Sequence, residues 1–242
     1  MRTLGGRSRW RWPFAAGAGV EISLATALVL AGLLGALVSP GILSRVLLLL
    51  VSLVWALLLL FFRDPERSSP PEDHLVLSPA DGRVLSVDEV EERCFMMGRA
   101  RRVSIFLSLL DVHVNRSPLA GVVELVSHRS GMFHQAFRPQ ASQQNEQNLV
   151  GIVHGGDRIL LKQIAGILAR RVVCGVRPGD RLEAGERFGL IKFGSRVEVY
   201  LPSHYEVHVR QDYRVVGGET VIASHAQVSD QANSQTQGGR DD

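Results

Sequence analysis

The chain has few cysteines and almost no lysines. Cys94 and Cys174 are the only cysteines and lie 80 residues apart, which excludes a disulfide scaffold and a cysteine-based zinc site. Of the 27 basic residues, only Lys162 and Lys192 are lysines, so chemistry that needs a lysine has two candidates. The net charge of +3 is too small to indicate a nucleic-acid partner.

Other familiar signatures are missing as well. The sequence has no internal repeat, no glycine-rich phosphate loop and no HExxH helix. These absences argue against the common nucleotide-binding and zinc-hydrolase classes, and we expect no metal site. At 242 residues, the chain has room for one domain of ordinary size and an additional segment.

Two long apolar runs provide the additional segment. Residues 22–44 and 46–62 contain no charged side chain and are separated by Arg45, shortly after the helix-breaking Ser39-Pro40-Gly41. About 20 apolar residues cross a bilayer, so residues 1–62 are predicted to form a basic N-terminus and a membrane helical hairpin. A signal peptide is the alternative, although two successive runs without a small-residue cleavage site disfavour it.

Arginines flank the two open ends of this predicted hairpin. Residues 2–11 contain four arginines, and Arg63 and Arg67 follow the second apolar run. Under the positive-inside rule, this arrangement places both the N-terminus and the bulk of the chain on the cytoplasmic face of the cell (inner) membrane.

From about residue 74 the pattern changes to that of β-strands. Stretches rich in β-branched residues, such as 83–87, 103–107 and 196–200, alternate with turn signals such as Arg177-Pro178-Gly179-Asp180. The predicted fold class is mainly β, with a compact β-sandwich or barrel domain over residues 63–223 and one short helix at 162–171. Residues 224–242 have almost nothing to bury, so we expect a disordered tail there.

Three short polar motifs lie in this domain and at its entrance. FFRDPER at 61–67 fits the end of the hairpin, and SPADG at 78–82 fits a turn with Asp81 at its tip. DVHVNRSP at 111–118 would place Asp111, His113 and Asn115 on one face of a strand. Such a row usually faces water, but an imidazole beside a carboxylate also suits acid–base chemistry.

The fourth motif is Phe193-Gly194-Ser195, between two strand-like stretches. It is consistent with a hairpin tip or a bulge. It also permits chemistry, because glycine leaves its carbonyl open to the hydroxyl that follows it. Attack of Ser195 Oγ on the Gly194 carbonyl would convert the amide to an ester, and elimination would leave dehydroalanine, which hydrolyses to a pyruvoyl group.

With these motifs in this order, and with Asn145-Glu146 and QIAGILARR at 163–171, the sequence resembles the phosphatidylserine decarboxylase family in its short, membrane-hairpin form. The resemblance covers about residues 61–223. It implies a precursor that cleaves itself between Gly194 and Ser195 into a β chain of residues 1–194 and an α chain of residues 195–242. The two chains would stay together as a heterodimer, and Ser195 would become the covalent pyruvoyl (pyruvate) cofactor.

The resemblance also implies roles for three side chains. Ser195 is the nucleophile of self-cleavage, His113 is the base that takes its proton, and Asp81 orients the histidine. Many relatives carry a second histidine three residues after the first, where this chain has an arginine. Either His113 serves both maturation and turnover, or another histidine, such as His128 or His134, shares the work.

The substrate that the resemblance implies is phosphatidylserine. Its amine would form a Schiff base with the pyruvoyl group, CO₂ would leave, and an acid such as His113 would protonate the product, phosphatidylethanolamine. The expected partners are therefore this lipid and the membrane that holds it, and no nucleic acid.

Two functions without catalysis remain open. Residues 176–186 look like the paired turns of a lipoyl or biotinyl domain, which would make the chain a membrane-anchored adaptor with a modified lysine. Lys192 lacks the methionines expected beside such a lysine. A membrane-anchored scaffold is the other alternative, and it predicts an uncleaved chain.

Overall fold

The structure, a computed structural model, describes residues 14–15, 18–167, 172–192 and 195–225. By its internal contacts the chain divides into two compact units, and the boundary falls between Pro65 and Glu66. The first unit carries the apolar helices and the second carries the strands.

Two apolar helices form the N-terminal unit, which confirms the helical hairpin that the sequence predicts. α1 spans Gly19–Val38 and α2 spans Ile42–Phe61, each of 20 residues and each long and apolar enough to cross a membrane. They pack side by side, and Trp55 Nε1 of α2 donates a hydrogen bond to Thr26 Oγ1 of α1 at 3.0 Å. Most of their leucines are exposed, as suits helices whose surroundings are apolar.

The second unit is built from strands, as the fold class predicts. Its elements in chain order are β1 (Leu75–Leu77), β2 (Gly82–Glu92), β3 (Gly98–Leu107), β4 (Val114–Arg116), β5 (Gly121–Arg129), α3 (Ala141–Gln144), β6 (Gln147–His154), β7 (Asp157–Ile164), β8 (Val172–Cys174), β9 (Arg181–Leu182), β10 (Arg187–Ile191), β11 (Ser195–Pro202), β12 (Tyr205–Val207), β13 (Arg214–Val215) and β14 (Val221–His225).

Among the described residues these strands form three antiparallel sheets. The largest has eight strands in the order β13-β2-β3-β11-β7-β6-β5-β9, and two three-stranded sheets have the orders β1-β14-β12 and β4-β10-β8. One apolar cluster packs the large sheet against both small ones, with Val103, Ile159 and Val199 from the large sheet and Phe188 and Ile222 from the small sheets. The site described below lies where the large sheet meets β10 and the residues before β4.

Two local expectations are corrected. The short helix exists but spans Ala141–Gln144, whereas residues 162–164 continue β7. A strand forms there instead of a helix because Lys162 and Gln163 pair with β6 on one side and β11 on the other. Strand β4 begins only at Val114, so Asp111 and His113 lie in the turn before it.

The end of the domain also differs from the expected boundary. β14 continues through Ser224 and His225, two residues beyond 223, because both residues are paired with β12. Residues 226–242 of the predicted tail lie outside the described residues.

Candidate active site

The sequence motifs lie close together at one edge of the large sheet, namely the edge formed by the ends of its strands. Gly82 begins β2, Leu107 ends β3, Ile164 ends β7 and Ser195 begins β11. Ser195 pairs directly with Leu107, and Asp81 immediately precedes Gly82. This edge, called the Ser195 edge below, therefore brings together residues that are more than 100 positions apart in the chain.

Ser195 has no exposed surface, and no described group forms a hydrogen bond with its Oγ. Strand alternation puts its side chain on the same face as Val197, which belongs to a buried apolar cluster with Ala80, Leu107 and Ile191. A buried hydroxyl without a partner costs about 1–3 kcal/mol. Native proteins tolerate few such groups, so each one calls for a physical explanation.

His113 is also fully buried, and a hydrogen bond orients its ring. Nδ1 lies 2.8 Å from the carbonyl oxygen of Asp111, which can only accept, so Nδ1 carries the proton and Nε2 is the basic nitrogen of the neutral ring. The His113 carbonyl accepts a hydrogen bond from Ile191 N at 3.2 Å. His113 thus lies beside the last residue of β10, four positions before Ser195.

Asp111 closes the turn that carries His113. Its Oδ2 accepts hydrogen bonds from Ser108 N at 2.8 Å and Ser108 Oγ at 2.7 Å, and Oδ1 accepts from Arg214 at 2.8 Å. Burial opposes ionisation of this carboxyl, but the Ser108 hydrogen bonds and the Arg214 charge outweigh it and lower the pKa of Asp111. The sequence motif contained Asp111. The sequence did not show that Asp111 positions the histidine, because that depends on the turn.

Asp81 is held by two other groups at the tip of its turn. Arg67 Nη2 lies 2.9 Å from Oδ2, and Gly217 N donates to Oδ1 at 2.7 Å. Gly82 follows because a side chain there would collide with the carbonyl group of Phe106. Arg67, the last residue of FFRDPER, therefore contacts SPADG through Asp81. The orienting role of Asp81 toward His113 stays a prediction.

Buried amides connect two further motifs. Gln163 Nε2 donates to Asn115 Oδ1 at 2.7 Å, and Asn148 Nδ2 donates to Gln163 Oε1 at 2.9 Å. Arg116 N donates to the carbonyl of Pro79 at 2.9 Å, which joins DVHVNRSP to SPADG. These contacts were not apparent in the sequence, because they require β4 to lie against the end of β7.

A buried ionic network lies on the other face of β11. Glu198 has no exposed surface and binds Arg196 Nη2 at 2.6 Å, Tyr200 Oη at 2.6 Å and Ser142 Oγ at 3.0 Å, with Lys162 Nζ at 3.8 Å. Burial, reinforced by Glu198, raises the pKa of Tyr200, and burial lowers the pKa of Lys162 although Glu198 opposes that shift. The alternation Arg-Val-Glu-Val-Tyr was the signal that could have shown it.

The remaining predicted residues have varied surroundings. Phe193 and Gly194 lie outside the described residues. His128 lies near the end of β5, and its Nε2 is 3.3 Å from Glu146. His134 follows β5, and its backbone N donates a hydrogen bond to Asn145 Oδ1 at 2.9 Å.

Two structural details bear on the other expectations from the sequence. Lys192 is only 7% exposed, which does not suit the exposed modified lysine of an adaptor. Both cysteines are free, as the sequence indicated.

Ser195 is buried at the start of β11, and His113 is buried in the turn before β4, with its ring oriented by the Asp111 carbonyl. Comparison with known proteins is specific about the family. A sequence profile described as phosphatidylserine decarboxylase matches residues 55–223. The chain is 55% identical over 163 residues to the phosphatidylserine decarboxylase proenzyme of Symbiobacterium thermophilum, which covers 67% of this chain and 76% of the relative. It is 49% identical over 175 residues to the corresponding proenzyme of Carboxydothermus hydrogenoformans, with 72% and 82% covered.

The proenzyme of Salinibacter ruber is 47% identical over 171 residues, which cover 69% of this chain and 75% of the relative. The chain belongs to the phosphatidylserine decarboxylase family. The resemblance seen in the sequence motifs is therefore confirmed.

Proposed function

We propose that this chain is the precursor of a pyruvoyl-dependent enzyme that decarboxylates phosphatidylserine to phosphatidylethanolamine and CO₂ at the cytoplasmic face of the membrane. The observation that carries the proposal is the buried Ser195 hydroxyl, which has no hydrogen-bond partner among the described residues. The family membership of the chain supports the reaction, and the side chains around Ser195 support the individual steps.

Maturation begins with the Ser195 hydroxyl. His113 Nε2 takes the Oγ proton, and Oγ attacks the Gly194 carbonyl, so that the peptide C–N bond is replaced by an ester. Loss of the Ser195 Cα proton then expels the Gly194 carboxylate and leaves dehydroalanine. Addition of water and release of ammonia complete the conversion to a pyruvoyl group at the new N-terminus.

The surroundings of Ser195 fit that group. The apolar neighbours Leu107 and Val197 exclude water from the hydroxyl before cleavage, and no polar partner of Oγ among the described residues is lost when the hydroxyl becomes a ketone. Once formed, the group supplies a ketone that binds the substrate amine and withdraws electrons as CO₂ leaves. His113 Nε2, when protonated, delivers the proton that the product carbon requires.

Apolar loops around the Ser195 edge support a lipid substrate. Leu109, Leu110, Met132, Phe137 and Ile167 are each about half exposed or more, and all lie in segments that follow β3, β5 or β7 at this edge. Exposed apolar side chains grouped around a site mark a surface for an apolar partner. A two-chain phospholipid remains in the bilayer, so a site bordered in this way can reach it there.

The membrane hairpin supports the cellular location. Both helices have the length and composition of membrane spans, and arginines lie beyond both open ends of the hairpin in the sequence. This charge distribution favours a cytoplasmic position for the catalytic unit.

Intact mass spectrometry of the wild type and of Ser195→Ala tests maturation. The α chain, 48 of 242 residues, should contribute about 5 kDa of the 26.5 kDa total. The two chain masses should sum to one ammonia less than simple hydrolysis gives, whereas Ser195→Ala should stay intact. An uncleaved wild type would overturn the proposal and favour the adaptor or scaffold.

Reductive trapping tests turnover separately. Cyanoborohydride with phosphatidylserine should attach the lipid amine to the α chain, which contains no lysine. The same treatment of Ser195→Ala should attach nothing. The substrate is identified by comparing the release of CO₂ from carboxyl-labelled phosphatidylserine with the release from a labelled serine lipid that has another backbone. Label on the β chain would contradict the assignment of the carbonyl to Ser195.

A further inference from the structure

Three side chains of types that commonly bind metals lie close together at the edge of the large sheet opposite Ser195. Asp157 begins β7, His204 lies in the turn between β11 and β12, and His225 ends β14. Their ligand atoms all lie within 4.8 Å of one another. His204 Nε2 is 3.0 Å and His225 Nε2 is 3.7 Å from Asp157 Oδ2.

We propose that Asp157, His204 and His225 bind one divalent transition-metal ion, with Zn²⁺ as the best fit. Two imidazoles and a carboxylate form a common protein zinc set, with bonds of about 2.0–2.2 Å. Donor atoms this close need only small side-chain movements to surround one ion, and water completes a tetrahedron. Imidazole nitrogen selects zinc and its transition-metal neighbours over Mg²⁺ and Ca²⁺, which prefer sets made only of oxygen.

The neighbouring side chains suit such a site. Tyr205 Oη donates a hydrogen bond to Asp157 Oδ2 at 3.1 Å and thereby orients the carboxylate. The rings of His204 and His225 are 4.8 Å apart between centroids, so both imidazoles approach Asp157 from adjacent directions. The side chain of His204 is 44% exposed, while Asp157 and His225 are about one-quarter exposed. An ion can therefore enter from solvent.

The position of the cluster gives the ion a structural consequence. Asp157 belongs to the eight-stranded sheet, whereas His225 belongs to the sheet formed by β1, β14 and β12. If cleavage occurs before Ser195, as proposed above, Asp157 lies on the β chain and both histidines lie on the α chain. The bound ion then links the two chains of the mature protein far from the reaction site.

No sequence motif predicts this cluster. The three residues are separated by 47 and 21 positions, and the sequence led us to expect no metal. The signal is tertiary, because a hairpin between β6 and β7, a tight turn after β11 and the last strand converge at one place.

Titration calorimetry with ZnCl₂ tests the site. The full chain is prepared in detergent without a polyhistidine tag and is stripped with a chelator. Wild type should bind one ion per chain, and His204→Asn should bind at least about tenfold more weakly. His208→Asn is the control, because the His208 ring bonds Ser224 Oγ instead. No saturable binding, or equal binding by His204→Asn, would overturn the proposal.

Cobalt substitution adds a spectroscopic readout. Co²⁺ in a four-coordinate site should give visible absorption bands that disappear in His204→Asn and persist in His208→Asn. Bands that survive in His204→Asn would assign the ion to other ligands and contradict this site. Because His204 lies in an exposed turn, its substitution should leave the fold intact, which the thermal unfolding midpoint without metal checks.

The uncleaved Ser195→Ala chain separates this proposal from the proposed function. It should bind zinc with the same stoichiometry, so a failure of self-cleavage leaves the metal test valid. In the cleaved wild type, zinc should raise the urea concentration at which the two chains separate, and a chelator should reverse that increase. Separation that is unaffected by bound zinc would overturn the linking role.

Discussion

Gln163 Nε2 donates a hydrogen bond to Asn115 Oδ1 at 2.7 Å, and both side chains are fully buried between two sheets. Gln163 also accepts from Asn148 Nδ2 at 2.9 Å. A buried amide network of this kind joins the end of β7 to β4, next to the turn that carries His113. It therefore holds the histidine-bearing segment against the sheet that carries Ser195.

Replacing Gln163 by leucine should destabilise the protein by about 2 kcal/mol, because Asn115 Oδ1 and Asn148 Nδ2 lose their partner. Urea unfolding of the Ser195→Ala background measures this without interference from cleavage. A double-mutant cycle with Asn115→Ala should give a coupling energy of about 0.5–3 kcal/mol. Additive effects would show that the two amides do not act together.

Asp111→Asn should slow maturation, because it removes the carboxylate that closes the turn before His113. The appearance of the α chain over time in a cell-free translation measures the rate. The variant should also lose about 1–2 kcal/mol of stability at pH 7.

That loss should depend on pH. The pKa of Asp111 is lowered below its ordinary value of 3.8 in the folded state, so its stabilising effect is complete above pH 3.8 and disappears as the pH falls through the folded-state value. The difference between wild type and Asp111→Asn in unfolding free energy should therefore vanish in strong acid. A difference that persists there would assign the effect to shape and not to charge.

Glu92 supplies the matched comparison at the opposite edge of the sheet. Its carboxylate accepts hydrogen bonds from the backbone N–H groups of Cys94, Phe95 and Met96 at 2.7–2.8 Å. Burial opposes ionisation, but these hydrogen bonds outweigh it and lower the pKa of Glu92. Glu92→Ala should cost about 2–4 kcal/mol and leave the rate of α-chain formation unchanged at temperatures where the variant is folded.

Arg67→Ala should slow maturation by releasing the Asp81 carboxylate, with a stability loss of about 2 kcal/mol. Both side chains are less than one-fifth exposed. Arg83→Ala is the control, because Arg83 pairs with Asp212 at 3.5 Å on the surface and such pairs contribute less than about 1 kcal/mol. Equal effects of the two substitutions on the α-chain rate would argue against a special role for the Arg67–Asp81 pair.

Two exposed methionines test the apolar loops at the Ser195 edge. Met132 lies at this edge and is 60% exposed, whereas Met97 lies at the opposite edge and is 71% exposed. Met132→Ser should raise the KM for phosphatidylserine in vesicles by about fivefold, from loss of roughly 1 kcal/mol of apolar contact. Met97→Ser should leave KM unchanged, and equal KM values for the two variants would contradict a lipid-facing role of the Ser195 edge.

The local sequence was sufficient for several conclusions. Two charge-free runs separated by Ser39-Pro40-Gly41 predicted the helical hairpin, because helix formation and hydropathy depend on neighbours in the chain. Alternating β-branched residues predicted the strands for the same reason. The helix predicted for residues 162–171 was wrong at residues 162–164, because pairing with β6 and β11 overrode a local pattern that is ambiguous over so few residues.

The sequence by itself determined the family, the apolar helices, the β-rich domain and the candidate residues Ser195, His113 and Asp81. Only the tertiary structure decided that Asp81 and Ser195 share one sheet edge, that Asp111 orients the His113 ring, and that Asp157 meets two histidines at the other edge. The physical reason is strand register. Hydrogen-bonded ladders between strands distant in the chain set which turns become neighbours, and no local pattern of residues contains that information.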